Sequence, residues 1–150
     1  MQRAIELAKK NVHRGNGGPF GAVIVRDGEI IAEAMNEVVS NNDPSAHAEM
    51  LAIRRACEKL KQYQLVGCEI YSSCEPCPMC LGAIYWARPE RVYYAAKRED
   101  AANSGFDDDY IYREMELSPE ERHIPFHNVM RPEALEAFKE WDKSGLEIKY

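Results

Sequence analysis

Residues 74–80 read Cys-Glu-Pro-Cys-Pro-Met-Cys, three cysteines at a strict spacing of three. Cys77 and Cys80 stand at i and i+3, so on a helix their thiols share one face. If that helix begins near them, the positive end of its dipole favours thiolates. Thiolates bind zinc, but two of them leave a site incomplete. Four histidines are available, at positions 13, 47, 123 and 127. Only His47 opens a predicted helix beside a carboxylate, Glu49. One imidazole with two thiolates leaves the fourth position of a tetrahedral ion to water, the pattern of a catalytic centre. Zinc lowers the pKa of bound water to about 7. Residues two apart diverge on an ideal helix, but from a frayed first turn Glu49 reaches that water and serves as a proton shuttle. Cys74 keeps a second arrangement open. As a third sulfur ligand it would close the site into a structural Cys3His knot, making the chain a zinc-stabilised scaffold or binding domain without turnover. Cys57 and Cys68 read as core fillers, and His13, His123 and His127 as surface or packing residues.

The elements that must position these groups follow from patterning. Residues 2–14 predict a helix with Ile5, Ala8 and Val12 on one side and Gly15 at its C-terminus. Residues 19–36 predict a hairpin turning at Asp27-Gly28. A helix follows, with Asp43 as N-cap, Pro44 in its first turn, and Ala46, Met50, Ile53, Cys57 and Leu60 as its core stripe. "CEIYSS" is a strand. A helix from near Pro76 stops before Pro89, and "RVYYAA" is a further strand. Residues 100–115 predict short helices around a loop, and "IPFHNVM" a last strand. A final helix is opened by Pro132 and closed by Gly145. A hairpin followed by strands alternating with helices predicts a mixed α/β layer structure in one domain.

Composition narrows the function. The chain has 150 residues, 45% of them hydrophobic, and a formal net charge of −6. That size and apolar content support one core without staples. The acidic balance disfavours a polynucleotide partner, the more so for the acidic stretch from Glu99 to Glu121. No long apolar run or leader pattern is present, so no membrane is expected. Five cysteines, an odd count, argue against a disulfide framework and for a reducing, cytoplasmic setting.

The order His-x-Glu…Pro-Cys-x-x-Cys is the arrangement of zinc nucleobase deaminases. "PFGAVIV", "NNDPSAHAE" and "SCEPCPMCLGAIYWARP" resemble the cytidine deaminase-like superfamily. With "GFDDDYIY" and "ERHIPFHNV", the chain is most similar to the bacterial guanine deaminases of that superfamily. The resemblance implies a three-layer α/β/α fold around a mixed five-stranded sheet. It also implies a homodimer in which the segment from about residue 131 to 150 is exchanged between subunits. The implied reaction is hydrolysis of guanine to xanthine and ammonia, with zinc-bound hydroxide attacking C2 and one Zn2+ per subunit. By position, the resemblance makes His47, Cys77 and Cys80 the zinc ligands and Glu49 the proton shuttle. Asp108 becomes a second acidic group near the base. Phe20 stacks on the purine, Asn36 recognises its polar edge, and Ala48, Trp86 and Tyr150 complete the substrate-binding set. Nucleosides such as guanosine or cytidine, other bases and aminotriazines are the alternative substrates on the same scaffold.

Overall fold

A tight hairpin starts the sheet. Before it runs α1 (Gln2–Arg14), then β1 (Gly21–Arg26) and β2 (Glu29–Met35). Asp27 and Gly28 both have positive φ, 51° and 80°, the backbone that a two-residue turn of matching twist requires. The chain continues through α2 (Val38–Asn41), α3 (Ala48–Leu60), β3 (Cys68–Cys74), α4 (Pro78–Ala87), β4 (Arg91–Ala96), α5 (Arg98–Asn103), α6 (Asp109–Glu116) and α7 (Arg131–Ser144). The structure, a computed structural model, describes residues 1–148. Its contacts divide the chain into two compact units, Met1–Asp109 and the residues from Tyr110 onward.

In the first unit the strands run in the order β2-β1-β3-β4. β1 is antiparallel to both β2 and β3, and β3 is parallel to β4, with α4 as the crossover. Alternation along β1 separates the two faces. Ala22 and Ile24 pack with Ala48, Ala52 and Ala56 of α3 and with Ile84 and Ala87 of α4. Val23 faces Ala4 and Leu7 of α1 on the other side. The unit is therefore layered α/β/α, and the sheet is mixed as expected.

Four expectations are corrected. The sheet has four strands among the described residues, not five. "IPFHNVM" forms no strand; Pro125, its second residue, removes a ladder donor. The buried stripe of α1 is Ala4, Leu7, Ala8 and Asn11, whereas Val12 is exposed. A polar residue thus occupies a core position, which apolar periodicity overlooks. Asp43 does not cap α3, because its Oδ1 accepts from the backbone N–H and hydroxyl of Ser45, at 2.8 and 2.7 Å, and makes a local turn instead. The helix begins five residues later; its fully buried apolar line is Ala48, Ala52 and Ala56, with Ile53, Cys57 and Leu60 of the expected stripe half-buried against the same core. The short α2 was not expected from patterning.

In the second unit, α7 opens with Pro132 in its first turn and ends at Gly145 in the left-handed conformation. Leu135, Phe138 and Trp141 of α7 are exposed, as are Leu146 and Ile148 beyond it. No helix among the described residues is long and apolar enough to cross a membrane.

Candidate metal centre and base-binding site

Two helix N-termini converge on one point. His47 is the N-cap of α3 and Cys77 the N-cap of α4, both in extended backbone with ψ of 155° and 168°. Extended caps explain how His47 and Glu49, two residues apart, act together. Glu49 is helical, while His47 lies outside the helix and turns its ring toward α4. Pro78 takes the first helical position of α4, where its missing N–H costs nothing, and Cys80 follows one turn after Cys77.

The His47 Nδ1 lies 3.5 Å from the Cys77 sulfur and 3.6 Å from the Cys80 sulfur. Tetrahedral zinc, with bonds of about 2.0 Å to nitrogen and about 2.3 Å to sulfur, places such atoms roughly 3.5 Å apart. The three donors therefore fit the ion, and they form the only such cluster found among the described residues. Their protonation fits as well. The Cys77 thiol is held down at about 4, first by the hydrogen bond from Cys80 and then by His47. Cys80 is pushed up by sharing its proton with Cys77, by burial and by the Glu49 charge. The Cys77 thiolate, hydrogen-bonded to the ring, raises the pKa of His47. Cys77 is thus the ready thiolate, and a divalent cation would displace the protons that Cys80 and His47 hold.

Cys74 is not part of this cluster. Its thiol is buried, points to the carbonyl of Lys97 at 3.6 Å, and is pushed up to about 11 by burial. The closed Cys3His arrangement is thus not the one the fold builds. Cys74→Ser is expected to keep one zinc per chain by atomic absorption and kcat within about threefold of wild type. Loss of the metal from this variant would restore the closed reading.

Glu49 is only 5% exposed. Burial raises its pKa, so it holds a proton more readily than a free glutamate. The Ser72 hydroxyl donates to its Oε1 at 2.8 Å, and Oε2 faces the Cys80 thiol at 3.5 Å. One oxygen is fixed from the sheet and the other is aimed at the metal cluster. Ser72 was not singled out from the sequence. The signal was there: Cys68, Ile70 and Ser72 alternate along β3 toward α3, and a hydroxyl on that apolar face asks for a partner.

Two of the base-binding candidates are tied to this centre, Ala48 beside His47 and Asp108 through its electrostatic interaction with Cys77. Asn36 is 4% exposed, and its Oδ1 accepts from the backbone N–H groups of Gly18 and Val38, at 3.3 and 3.2 Å. Two donors fix the oxygen there and leave Nδ2 as the group available to a ligand. Phe20 meets Phe106 edge to face, with ring centroids 5.0 Å apart. Ala48 is fully buried at the first turn of α3. Among the three adjacent acids, Asp107 accepts from the backbone N–H of Asp109, and Asp108 is the half-buried one. Burial and the Cys77 thiolate both raise the pKa of Asp108, which places it within the field of the metal cluster. Trp86 lies near the end of α4 and is 61% exposed. Tyr150 lies outside the described residues.

The profile described as "Cytidine and deoxycytidylate deaminase zinc-binding region" matches residues 1–96. The chain belongs to this family. A guanine deaminase from Bacillus subtilis is 59% identical over 94% of this chain and 90% of its own length. The X-ray structure of guanine deaminase from Bacillus subtilis superposes with a TM-score of 0.94 at 56% identity, covering 99% of this chain and 94% of that one. A tRNA-specific adenosine deaminase from Aquifex aeolicus is 47% identical over 64% of this chain and 63% of its own length.

Proposed function

We propose that this protein is a zinc-dependent guanine deaminase, hydrolysing guanine to xanthine and ammonia. The observation that carries the reading is the reach of its likeness. The similarity to the Bacillus subtilis guanine deaminase spans 94% of the chain, whereas that to the Aquifex aeolicus tRNA-specific adenosine deaminase spans 64%. The net charge of −6 also suits a free base better than a polynucleotide.

His47, Cys77 and Cys80 hold the ion, which supplies the Lewis acidity that makes a water nucleophilic near neutral pH. The remaining work belongs to the chain. Asn36 donates from Nδ2 to the polar edge of the purine, and the Phe20 ring lies against its face. Stacking of this kind contributes on the order of 1–3 kcal/mol. Glu49 Oε2, held in place through Ser72 on Oε1, takes a proton from the attacking water as its oxygen bonds to C2. Glu49 passes that proton to the ring nitrogen that gains charge, then carries the water's second proton to the exocyclic amine. The C2–N bond breaks, ammonia leaves, and the oxygen remains as the new carbonyl of xanthine. Asp108, whose neutral form is favoured by burial, assists protonation of the leaving amine. Ala48 and Trp86 border the base.

The working molecule is a cytoplasmic homodimer and each chain one deaminase domain. Exposed Leu81, Tyr85 and Trp86 on α4, and Leu135, Phe138 and Trp141 on α7, supply the apolar surface that a second copy would cover. Residues 131–150 are exchanged between subunits, bringing Tyr150 to the neighbouring pocket.

Ammonia release should be measured against guanine, guanosine, cytosine, cytidine and adenine. Guanine is expected to exceed every other member by at least about 10³-fold in kcat/KM, because a site built to pair a polar edge rejects ligands that leave its groups unpaired. Comparable turnover of a nucleoside would transfer the assignment to that substrate.

A further inference from the structure

We propose that Asn11, a fully buried side chain on the sheet-facing side of α1, is a positioning residue for base recognition that holds the amide of Asn36 and the loop leading to Phe20 in register. The inference rests on the reading that Asn36 and Phe20 meet the base. Asn11 Nδ2 donates at 2.8 Å to the carbonyl of Gly18 and at 2.8 Å to the carbonyl of Asn36. A single amide therefore clamps the two backbone positions that frame the recognition amide. The same two strands of chain meet again one step further on. The Gly18 N–H donates to Asn36 Oδ1, and the Asn36 N–H donates to the Phe20 carbonyl at 3.1 Å.

The clamp is tight on its far side too. A methyl group on Gly17 would overlap the Asn36 side-chain oxygen, and one on Gly18 would meet the Phe20 ring at 2.7 Å. Asn11 occupies a core position, in line with Ala4, Leu7 and Ala8, that an apolar side chain would fill more favourably. Its Oδ1 is buried and has no hydrogen-bond partner among the described residues. An amide kept at the cost of an unmet acceptor is there for what its nitrogen holds.

Base contacts made by Asn36 and Phe20 form when guanine binds and persist through the reaction. Loosening them should appear in KM rather than kcat. Asn11→Ala is expected to raise KM for guanine by about 10-fold or more and to weaken xanthine binding by a similar factor in calorimetry. kcat should stay within about threefold, and zinc at one per chain. In an Asn36→Ala background the further change on Asn11→Ala should vanish, because the two act through one contact. Gly17→Ala, on the far side of the clamp, should raise KM in the same way and decides the matter if Asn11→Ala does not fold. Unchanged KM in the Asn11 and Gly17 variants, alongside a raised KM in Asn36→Ala, would overturn the positioning role. Independent, multiplying effects of Asn11→Ala and Asn36→Ala would overturn it as well. An unchanged KM in Asn36→Ala would instead overturn the base-recognition reading beneath it.

Discussion

Glu49→Gln should retain a full complement of zinc and lose turnover by about 10²–10⁴-fold in kcat, the range that a positioned proton carrier supplies. The substitution leaves His47, Cys77 and Cys80 untouched. A glutamine oxygen can still accept from Ser72 Oγ where Oε1 accepts now. What disappears is the group facing Cys80 that can take a proton from water and give it up again. With zinc removed, the variant should also be the more stable protein at neutral pH. Burial raises the folded-state pKa of Glu49, so the unfolded chain ionises first and stability is lost as pH rises through that range. A neutral amide escapes this loss. Zinc analysis, steady-state kinetics with guanine and thermal unfolding at pH 7 together check the prediction. Undiminished kcat would remove Glu49 from the proton path.

The largest effect belongs to the ligands. Cys77→Ala should abolish zinc binding at micromolar metal and lower kcat/KM by at least about 10⁴-fold, since the Lewis acid is worth several kcal/mol at the reacting carbon. The fold should lose the linkage stabilisation that bound metal provides, about 4 kcal/mol where metal exceeds its Kd a thousandfold. Chelation of the wild-type protein should reproduce both losses, and returned Zn2+ should reverse them. Acid should weaken metal retention, because protons compete for the same sulfurs and imidazole. A Cys77 variant that kept its zinc would show that the donor set is wrong.

The sequence was most informative where local chemistry is obligatory. Asp27-Gly28 predicted the hairpin because few other pairs adopt positive φ twice in succession. His47, Cys77 and Cys80 were legible because zinc restricts donor type and number, and the structure brings all three to one point. Two kinds of feature were hidden. Asp43 and Pro44 carry the chemistry of a helix start, yet the Ser45 contacts with Asp43 compete for the same carboxylate and delay the helix to Ala48. Ser72 and Asn11 are single polar residues on apolar faces, and periodicity reads such positions as noise. Their meaning depends on what lies opposite. For Ser72 that is Glu49, on an element distant in sequence; for Asn11 it is the carbonyl of Asn36, on another. Asp108 is a third case. Its neighbours are chemically identical, and only burial distinguishes it from Asp107 and Asp109.

X-ray absorption at the zinc edge of the purified protein probes the donor set itself. The account predicts one zinc per chain with two sulfur scatterers at about 2.3 Å and two lighter ones nearer 2.0 Å, one of them imidazole. A third sulfur in the first coordination sphere, or a protein that purifies and turns over guanine without zinc, would contradict it.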